Sequence, residues 1–382
     1  MLYLDNSATT RPTPAVREAV AKAMAEDWYN PSALYGPALG VEKQLNACRE
    51  ILLNAAGAKG QRVTFTGSGT EADNLAILGT LRTQRQPGRV LMLEVEHPAV
   101  LTCGEELRRL HCAVEHIPVD SRGVADLAKL EAMLDSDVRL ICVMQVNNET
   151  GAVQPLAEIA ALRDRLCPGA PIHVDGVQGF LRVPLAFNRL NIQSYALSGH
   201  KIHALKGVGA LISQRDRRLS PVVFGGGQEG GLRSGTENTP GILSLKTAVE
   251  TWPREAPEEM RRLKLLLWEE IKARIPAAVV NGPEPDSGAA APHILNVSFP
   301  PVRSQPLLLA MEGEGVCVSA GSACASHKQK VSGVLSAMGV GPERADSALR
   351  FSLCPGLTEA DMRFAAEALA RQYALLSQFV RR

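Results

Sequence analysis

Arg62-Val63-Thr64-Phe65-Thr66 runs directly into Gly67-Ser68-Gly69-Thr70-Glu71-Ala72-Asp73-Asn74. The first five residues are rich in β-branched and aromatic side chains and predict a strand. The small residues after them form a tight turn, and the stretch that follows opens a helix. A strand that turns through glycines into a helix is the first half of a βαβ unit, and the pattern repeats along the chain. Further strands are predicted at Arg89 to Val95, Val114 to Val119, Leu140 to Val146, Ile172 to Val174, Gln193 to Leu197 and Val208 to Ser213. Val, Ile and Leu dominate them, as strands covered on both faces require. The fold class is α/β, with a mainly parallel seven-stranded sheet covered by helices.

Upstream, Leu45, Cys48, Ile51 and Leu52 recur at helical spacing, and Gly57 stands where a helix would stop. Downstream, the composition shifts near residue 250. A charged amphipathic helix from Glu258 to Arg274 carries Leu263, Leu266, Leu267 and Ile271 on one side. It leads into a Pro/Gly/Ala-rich loop, Asn281 to Pro292, and then into two strand-like and two helical runs. This places a large domain at residues 14–250 and a smaller α+β domain at 251–382, with residues 1–13 joining the smaller one.

The length of 382 residues supports two to three domains at about 150 each. Lys and Arg total 41 and Asp and Glu 40, so no bulk field draws the chain to nucleic acid or to an anionic membrane. The eight cysteines are scattered with no Cys-x-x-Cys pair, which points to a reducing compartment rather than a disulfide framework. The start lacks a basic stretch followed by an apolar one and meets a proline at position 12. Apolar runs are strand-sized throughout, so the expected location is the cytoplasm.

Four stretches could carry chemistry. Gly67 to Asn74 offers free N–H groups at a helix start, a site for phosphate. It also spells G-x-G-x-x-A, so a dinucleotide fold is a rival, with Glu94 or Glu96 as the ribose acid. A third reading is a plain glycine turn with Thr70 as an N-cap. Ile172-His173-Val174-Asp175-Gly176-Val177-Gln178 is a strand ending in a carboxylate, where ligands of α/β folds sit. His173 and Asp175 share a face, yet no third ligand is near in sequence, so no metal site is expected and His173 reads as a core histidine. Ser198-Gly199-His200-Lys201 puts a lysine at a strand end, where desolvation frees an amine to attack an aldehyde. Phosphate cradle, carboxylate and lysine together describe a pyridoxal phosphate site. Finally, Ser319-Ala320-Gly321-Ser322-Ala323-Cys324 is followed by His327, Lys328 and Lys330, whose charge favours a thiolate. The other seven cysteines lie in apolar or helical surroundings and read as small hydrophobes.

These stretches, with Tyr3-Leu4-Asp5-Asn6-Ser7-Ala8-Thr9-Thr10, Asn30-Pro31-Ser32, Glu96-His97, Val146-Asn147-Asn148-Glu149, Arg233-Ser234-Gly235-Thr236 and Arg350-Phe351-Ser352, resemble the cysteine desulfurases. These are fold-type I pyridoxal phosphate enzymes of the class V aminotransferase group. The order of the motifs covers nearly the whole chain.

The resemblance implies that Lys201 holds the cofactor through a Schiff base and moves protons at the substrate. It pairs Asp175 with the pyridine nitrogen, stacks His97 on the ring, where it assists proton transfer, and gives Gln178 the ring's phenolate oxygen. Gly69, Thr70, Ser198 and His200 would bind the phosphate, joined by Thr236 from a second subunit, which implies a homodimer with shared sites. Arg350 would clamp the substrate carboxylate, Asn148 would help hold substrate and cofactor, and Cys324 would take sulfur from L-cysteine as a persulfide and leave L-alanine. The persulfide would pass to an acceptor protein, an iron–sulfur scaffold or a tRNA-thiolating enzyme, with no direct nucleic-acid contact and no membrane.

The chain departs from the pattern in places. Ser68-Gly69 stands where relatives often have Gly-Ala, and His203-Ala204-Leu205 replaces a more usual Tyr/His-Gly-Pro. Gly321-Ser322-Ala323-Cys324 resembles the long-loop subgroup. No extended tail follows the last helical pattern, so the resemblance names no single acceptor. The alternatives are a selenocysteine lyase, a NAD-dependent enzyme that would leave Lys201 and Cys324 unexplained, and a non-catalytic binding protein of the same fold.

Overall fold

The glycine turn at 67–69 joins a strand to a helix in the computed structural model, which describes residues 1–321 and 332–379. The chain begins with β1 (Leu2–Tyr3), α1 (Pro14–Glu26) and α2 (Gly36–Ala55). There follow β2 (Arg62–Thr66), α3 (Gly69–Leu81), β3 (Arg89–Leu93), α4 (Pro98–Leu101), α5 (Cys103–Arg109), β4 (Ala113–Ile117) and α6 (Leu127–Met133). Next come β5 (Val138–Met144), α7 (Leu156–Leu166), β6 (Ile172–Asp175), β7 (Ser194–Ser198), β8 (Gly209–Ser213), α8 (Thr239–Glu250) and α9 (Ala256–Arg274). The rest is β9 (Val279–Val280), β10 (Ile294–Ser298), α10 (Ser304–Gly313), β11 (Val316–Cys317), α11 (Gly333–Ala337), α12 (Pro342–Asp346), β12 (Ala348–Ser352) and α13 (Glu359–Ser377).

Seven strands form one sheet in the order β2-β8-β7-β6-β5-β3-β4. Only β8 runs antiparallel to its neighbours; the other pairings are parallel. Each predicted strand is present. Three end earlier than the apolar pattern suggested: β3 stops at Leu93, β5 at Met144, and β4 at Ile117 because Pro118 has no N–H for the ladder. The α2 helix ends as its sequence implies, with Gly57 at φ +63 and the Ala58 amide bonded back to Leu53 O at 2.8 Å.

A core of Leu91, Ile141, Val143, Val174, Leu197 and Ile212 from the sheet packs against Leu45, Leu52 and Ile159 from covering helices. Each such side chain contributes about 1.5–3 kcal/mol by leaving water. A second core joins Met260, Leu263, Leu267 and Ile271 of α9 to Met362, Ala366 and Leu369 of α13 and to Val297, Leu349 and Phe351. The predicted Leu266 is only partly buried there, while Lys264 lies on the buried side and donates to Ala291 O at 2.7 Å.

Beyond α9 the structure holds more elements than the two strands and two helices expected. β9 and β11 are two residues long and α11 and α12 five, too short for a period of 2 or 3.6 to show. β12, β10 and β9 form a small antiparallel sheet. The N-terminus packs with these C-terminal elements: Leu2 pairs with Val316 and Tyr3 with Cys317, and Asn6 Nδ2 donates to Ser352 O at 2.9 Å. Among the described residues, no helix is long and apolar enough to cross a membrane.

Candidate active site

Parallel strands all expose their carboxyl ends on one edge, and side chains just beyond β6 and β7 meet there with the start of α3. The result is a cavity of about 240 Å³. Gly69, Thr70, Ser198 and His200 line one part of it, and His97, Asp175, Gln178, Lys201, Asn148 and Arg350 the remainder.

At the α3 end, Ser68 rather than Thr70 is the N-cap: its hydroxyl accepts from the Glu71 amide at 3.1 Å. Glu71 in turn accepts from the Gly67 amide and pairs with Arg233 at 2.8 Å, so the turn is held from outside. Among the described residues the Gly69 and Thr70 amides have no protein acceptor. They remain the open donors at the positive end of a 13-residue helix. A side chain on Gly69 would stand 2.7 Å from Val177 Cγ2, so only glycine lets the helix start approach the end of β6 this closely. His200 Nδ1 lies 3.1 Å from Thr9 Oγ1, which leaves Nε2 for the cavity. Burial, with Lys201 and Lys206 nearby, lowers its pKa to about 4, so the ring is neutral.

Carboxyls crowd the centre. Asp175 accepts from the Val177 amide at 2.9 Å and is buried, which raises its pKa; His97, that amide and Lys201 draw it partly back. Asp73 lines the same cavity from α3, and burial together with Asp175 and Glu96 holds it well above the usual carboxylate range. Its Oδ1 lies 3.1 Å from His173 Nε2, and His173 Nδ1 lies 2.9 Å from Ser194 Oγ. Both nitrogens of His173 are therefore used, and burial lowers its pKa to about 3, the state of a core histidine. His97 caps α4 and accepts the Ala99 amide on Nδ1 at 3.1 Å. Burial lowers its pKa, Lys201 lowers it further, and Asp175 opposes both. A neutral imidazole whose Nδ1 is an acceptor carries its proton on Nε2, so His97 is a hydrogen-bond donor on that side.

Lys201 follows β7 in a single 3₁₀ turn, and its Nζ donates to Ser7 O at 2.6 Å and Ala8 O at 2.7 Å. Arg350 sits on β12, buried, with Nη2 2.6 Å from Asp5 Oδ1 and Nη1 donating to Asn148 O at 2.8 Å. Among the described residues Nε has no partner, and one N–H remains on each terminal nitrogen.

The sequence reading missed the roles of Asp5, Ser7, Ala8 and Asp73. The first three lie in the polar run Asp5 to Thr10, whose wealth of side-chain oxygens so close to the N-terminus was the available signal. Asp73 had one too: a carboxyl inside a helix that opens on a ligand-sized turn. Thr236 does not line the cavity of its own chain; it is exposed between Gly235 and Glu237. Cys324, with Ser322, His327, Lys328 and Lys330, lies outside the described residues.

The dinucleotide reading fails at its acids. Glu94 accepts from the Val119 amide and Glu96, buried, from the Met144 amide, so neither is presented to a ribose. The departure at His203-Ala204-Leu205 is absorbed locally. His203 takes φ +67, its amide donates to Thr10 Oγ1 at 2.7 Å and its Nδ1 lies 2.8 Å from Arg11 O, so the turn after Lys201 is tied to the N-terminal segment.

The aminotransferase class-V family model matches residues 2–363. A cysteine desulfurase of Nostoc sp. is 39% identical over 368 residues, 95% of this chain and 90% of that protein. Among solved structures, a NifS-like protein superposes with a TM-score of 0.90 at 30% identity, covering 98% of this chain and 100% of that one. SspA in complex with cysteine gives a TM-score of 0.81 at 30% identity, over 93% and 99% of the two chains.

Proposed function

The chain belongs to the class-V aminotransferase family, and from that premise we infer that it is a pyridoxal phosphate-dependent cysteine desulfurase that works in the cavity described above. The observation that carries the reading is one cavity holding a lysine amine, a buried carboxylate, an open helix N-terminus and a guanidinium. That donor set fits the cofactor. The free Gly69 and Thr70 amides suit a phosphate, and Asp175, which has only an amide donor among the described hydrogen bonds, suits a protonated pyridine nitrogen.

When bound, pyridoxal phosphate supplies an electron sink for the bonds at the substrate's Cα and Cβ. Thr70, Ser198 and His200 hold its phosphate, with Thr236 of a second copy of the chain completing the cradle. Asp175 keeps the ring nitrogen protonated. His97 would face the ring with Nε2 as a donor. Lys201 would hold the cofactor through its amine and move the proton at substrate Cα; its Nζ donates to Ser7 O and Ala8 O. Arg350, braced by Asp5, holds the substrate carboxylate, and Asn148 borders both.

The Cys324 thiolate attacks the sulfur of L-cysteine. An S–S bond forms, the Cβ–S bond breaks, Cβ gains a proton, and L-alanine leaves with a persulfide on Cys324. None of the seven described cysteines lines the cavity, and burial pushes the thiols of Cys48 up to about 12 and of Cys103 and Cys354 to about 11, which suits packing rather than attack. Ser319 pairs with Arg350 through two backbone bonds, and Ser332 donates to Glu149 beside Asn148. Ser319 and Ser332 thus lie near Arg350 and Asn148, at the substrate end of the cavity. The persulfide then passes to an acceptor protein of iron–sulfur assembly or tRNA thiolation. The described cysteines are unbridged, which supports a cytoplasmic setting.

Purified protein loaded with pyridoxal phosphate releases alanine from L-cysteine, and Cys324→Ala loses the persulfide while keeping the cofactor's absorbance. Alanine release that is indifferent to Cys324→Ala overturns the assignment of the nucleophile.

A further inference from the structure

Gln178 can face the cavity with either end of its amide, since oxygen and nitrogen occupy nearly the same shape and differ only in hydrogen bonding. Two groups from opposite ends of the chain decide between them. Gln178 Nε2 donates to Ser7 O at 3.0 Å, and Gln178 Oε1 lies 3.4 Å from His293 Nε2. The first contact requires the NH₂ on the Ser7 side, so the second must be an imidazole N–H donating to the amide oxygen. A flipped amide would set carbonyl against carbonyl at Ser7 and donor against donor at His293.

His293 has no other evident work. It is fully buried, just before β10, with its carbonyl fixed by the Leu353 amide at 2.8 Å, and its Nδ1 has no partner among the described residues. The charged groups facing it are Arg182, Lys264 and Arg350; burial and these three cations keep its pKa well below the ordinary value. It is therefore a neutral donor whose side chain, among the described residues, bonds only to Gln178.

We propose that His293 is a positioning residue: its Nε2–H, with Ser7 O, locks the Gln178 amide so that its remaining N–H faces the cavity as a donor to the phenolate oxygen of pyridoxal phosphate. The proposal rests on the cavity being the cofactor site. A donor at that oxygen stabilises the deprotonated cofactor, so its loss raises the pH at which the bound chromophore changes colour.

The experiment is an absorbance titration of the pyridoxal phosphate-loaded protein. His293→Leu is expected to raise the midpoint by about half to one unit, the scale of one hydrogen bond. His293→Gln, which restores an N–H donor, is expected to return it towards the wild-type value. In a Gln178→Leu background, His293→Leu adds no further shift. If His293→Leu does not fold, His293→Asn, whose shorter side chain stops short of Gln178, carries the same comparison. A wild-type midpoint in the loaded Leu or Asn variant overturns the proposal, as does an equal shift without Gln178. A wild-type protein that forms no Lys201-dependent chromophore overturns the cofactor site itself, a separate result.

Discussion

Around the ends of β6 and α3, the carboxyls of Asp73, Glu96 and Asp175 are buried together, and burial pushes all three above the usual carboxylate range, with His97 and Lys201 drawing Asp175 partly back. Across the cavity, Arg350 is just as buried yet already paired with Asp5. The two regions meet the cost of burying charge differently. The carboxyl side leaves a deficit of positive charge that a protonated ring nitrogen, in the reading proposed above, would relieve. On the guanidinium side the balance is struck in advance. Arg350 is held by Asp5 and Asn148 O and keeps N–H groups that, in the reading proposed above, would take a carboxylate that comes and goes with each turnover.

Asp175→Asn tests the first half most severely. The amide still accepts from Val177 N–H but cannot hold a charge on the ring nitrogen, and kcat for alanine release is expected to fall about 10²–10⁴-fold. A variant within tenfold of wild type would mean that the carboxyl side is only structural. Arg350→Lys addresses the second half. It keeps a positive charge beside Asp5 and loses the two-pronged grip, so KM for L-cysteine should rise about 10- to 100-fold, with kcat affected less. A fall in kcat at constant KM would place Arg350 elsewhere in the reaction.

The smallest effect expected is on stability. A carboxyl whose folded pKa is raised stabilises the fold below its unfolded pKa, and that contribution is lost as pH rises through the folded value. Asp73→Asn does not titrate, so its Tm relative to wild type, measured without cofactor, should climb between pH 5 and pH 8. A difference that stays flat across this range would show that Asp73 keeps its charge in the folded protein and that the crowding of carboxyls is electrostatically relieved.

Much of this was legible in the sequence because it depends on neighbours along the chain. Strands covered on both faces need unbroken apolar runs, so the seven-stranded sheet could be read from residues 62–213. Parallel strands also collect their ends at one edge, which placed Asp175, Ser198 and Lys201 near a common ligand before any contact was known. The short elements after residue 275 escaped, since two to five residues cannot display a period.

The pairings were another matter. Asp5 reaches Arg350 across 345 positions, Ser7 and Ala8 reach Lys201 across 194 and 193, and His293 stands behind Gln178 across 115. Nothing local marks such partners, because a carbonyl or an imidazole has the same sequence signature wherever its mate lies. The chain order determined which chemical groups are present and which strand ends carry them. Which group neutralises, orients or leaves bare another was decided only when the N-terminal segment and the small sheet closed over the large one, where burial turns each unmatched charge or flipped amide into a free-energy cost.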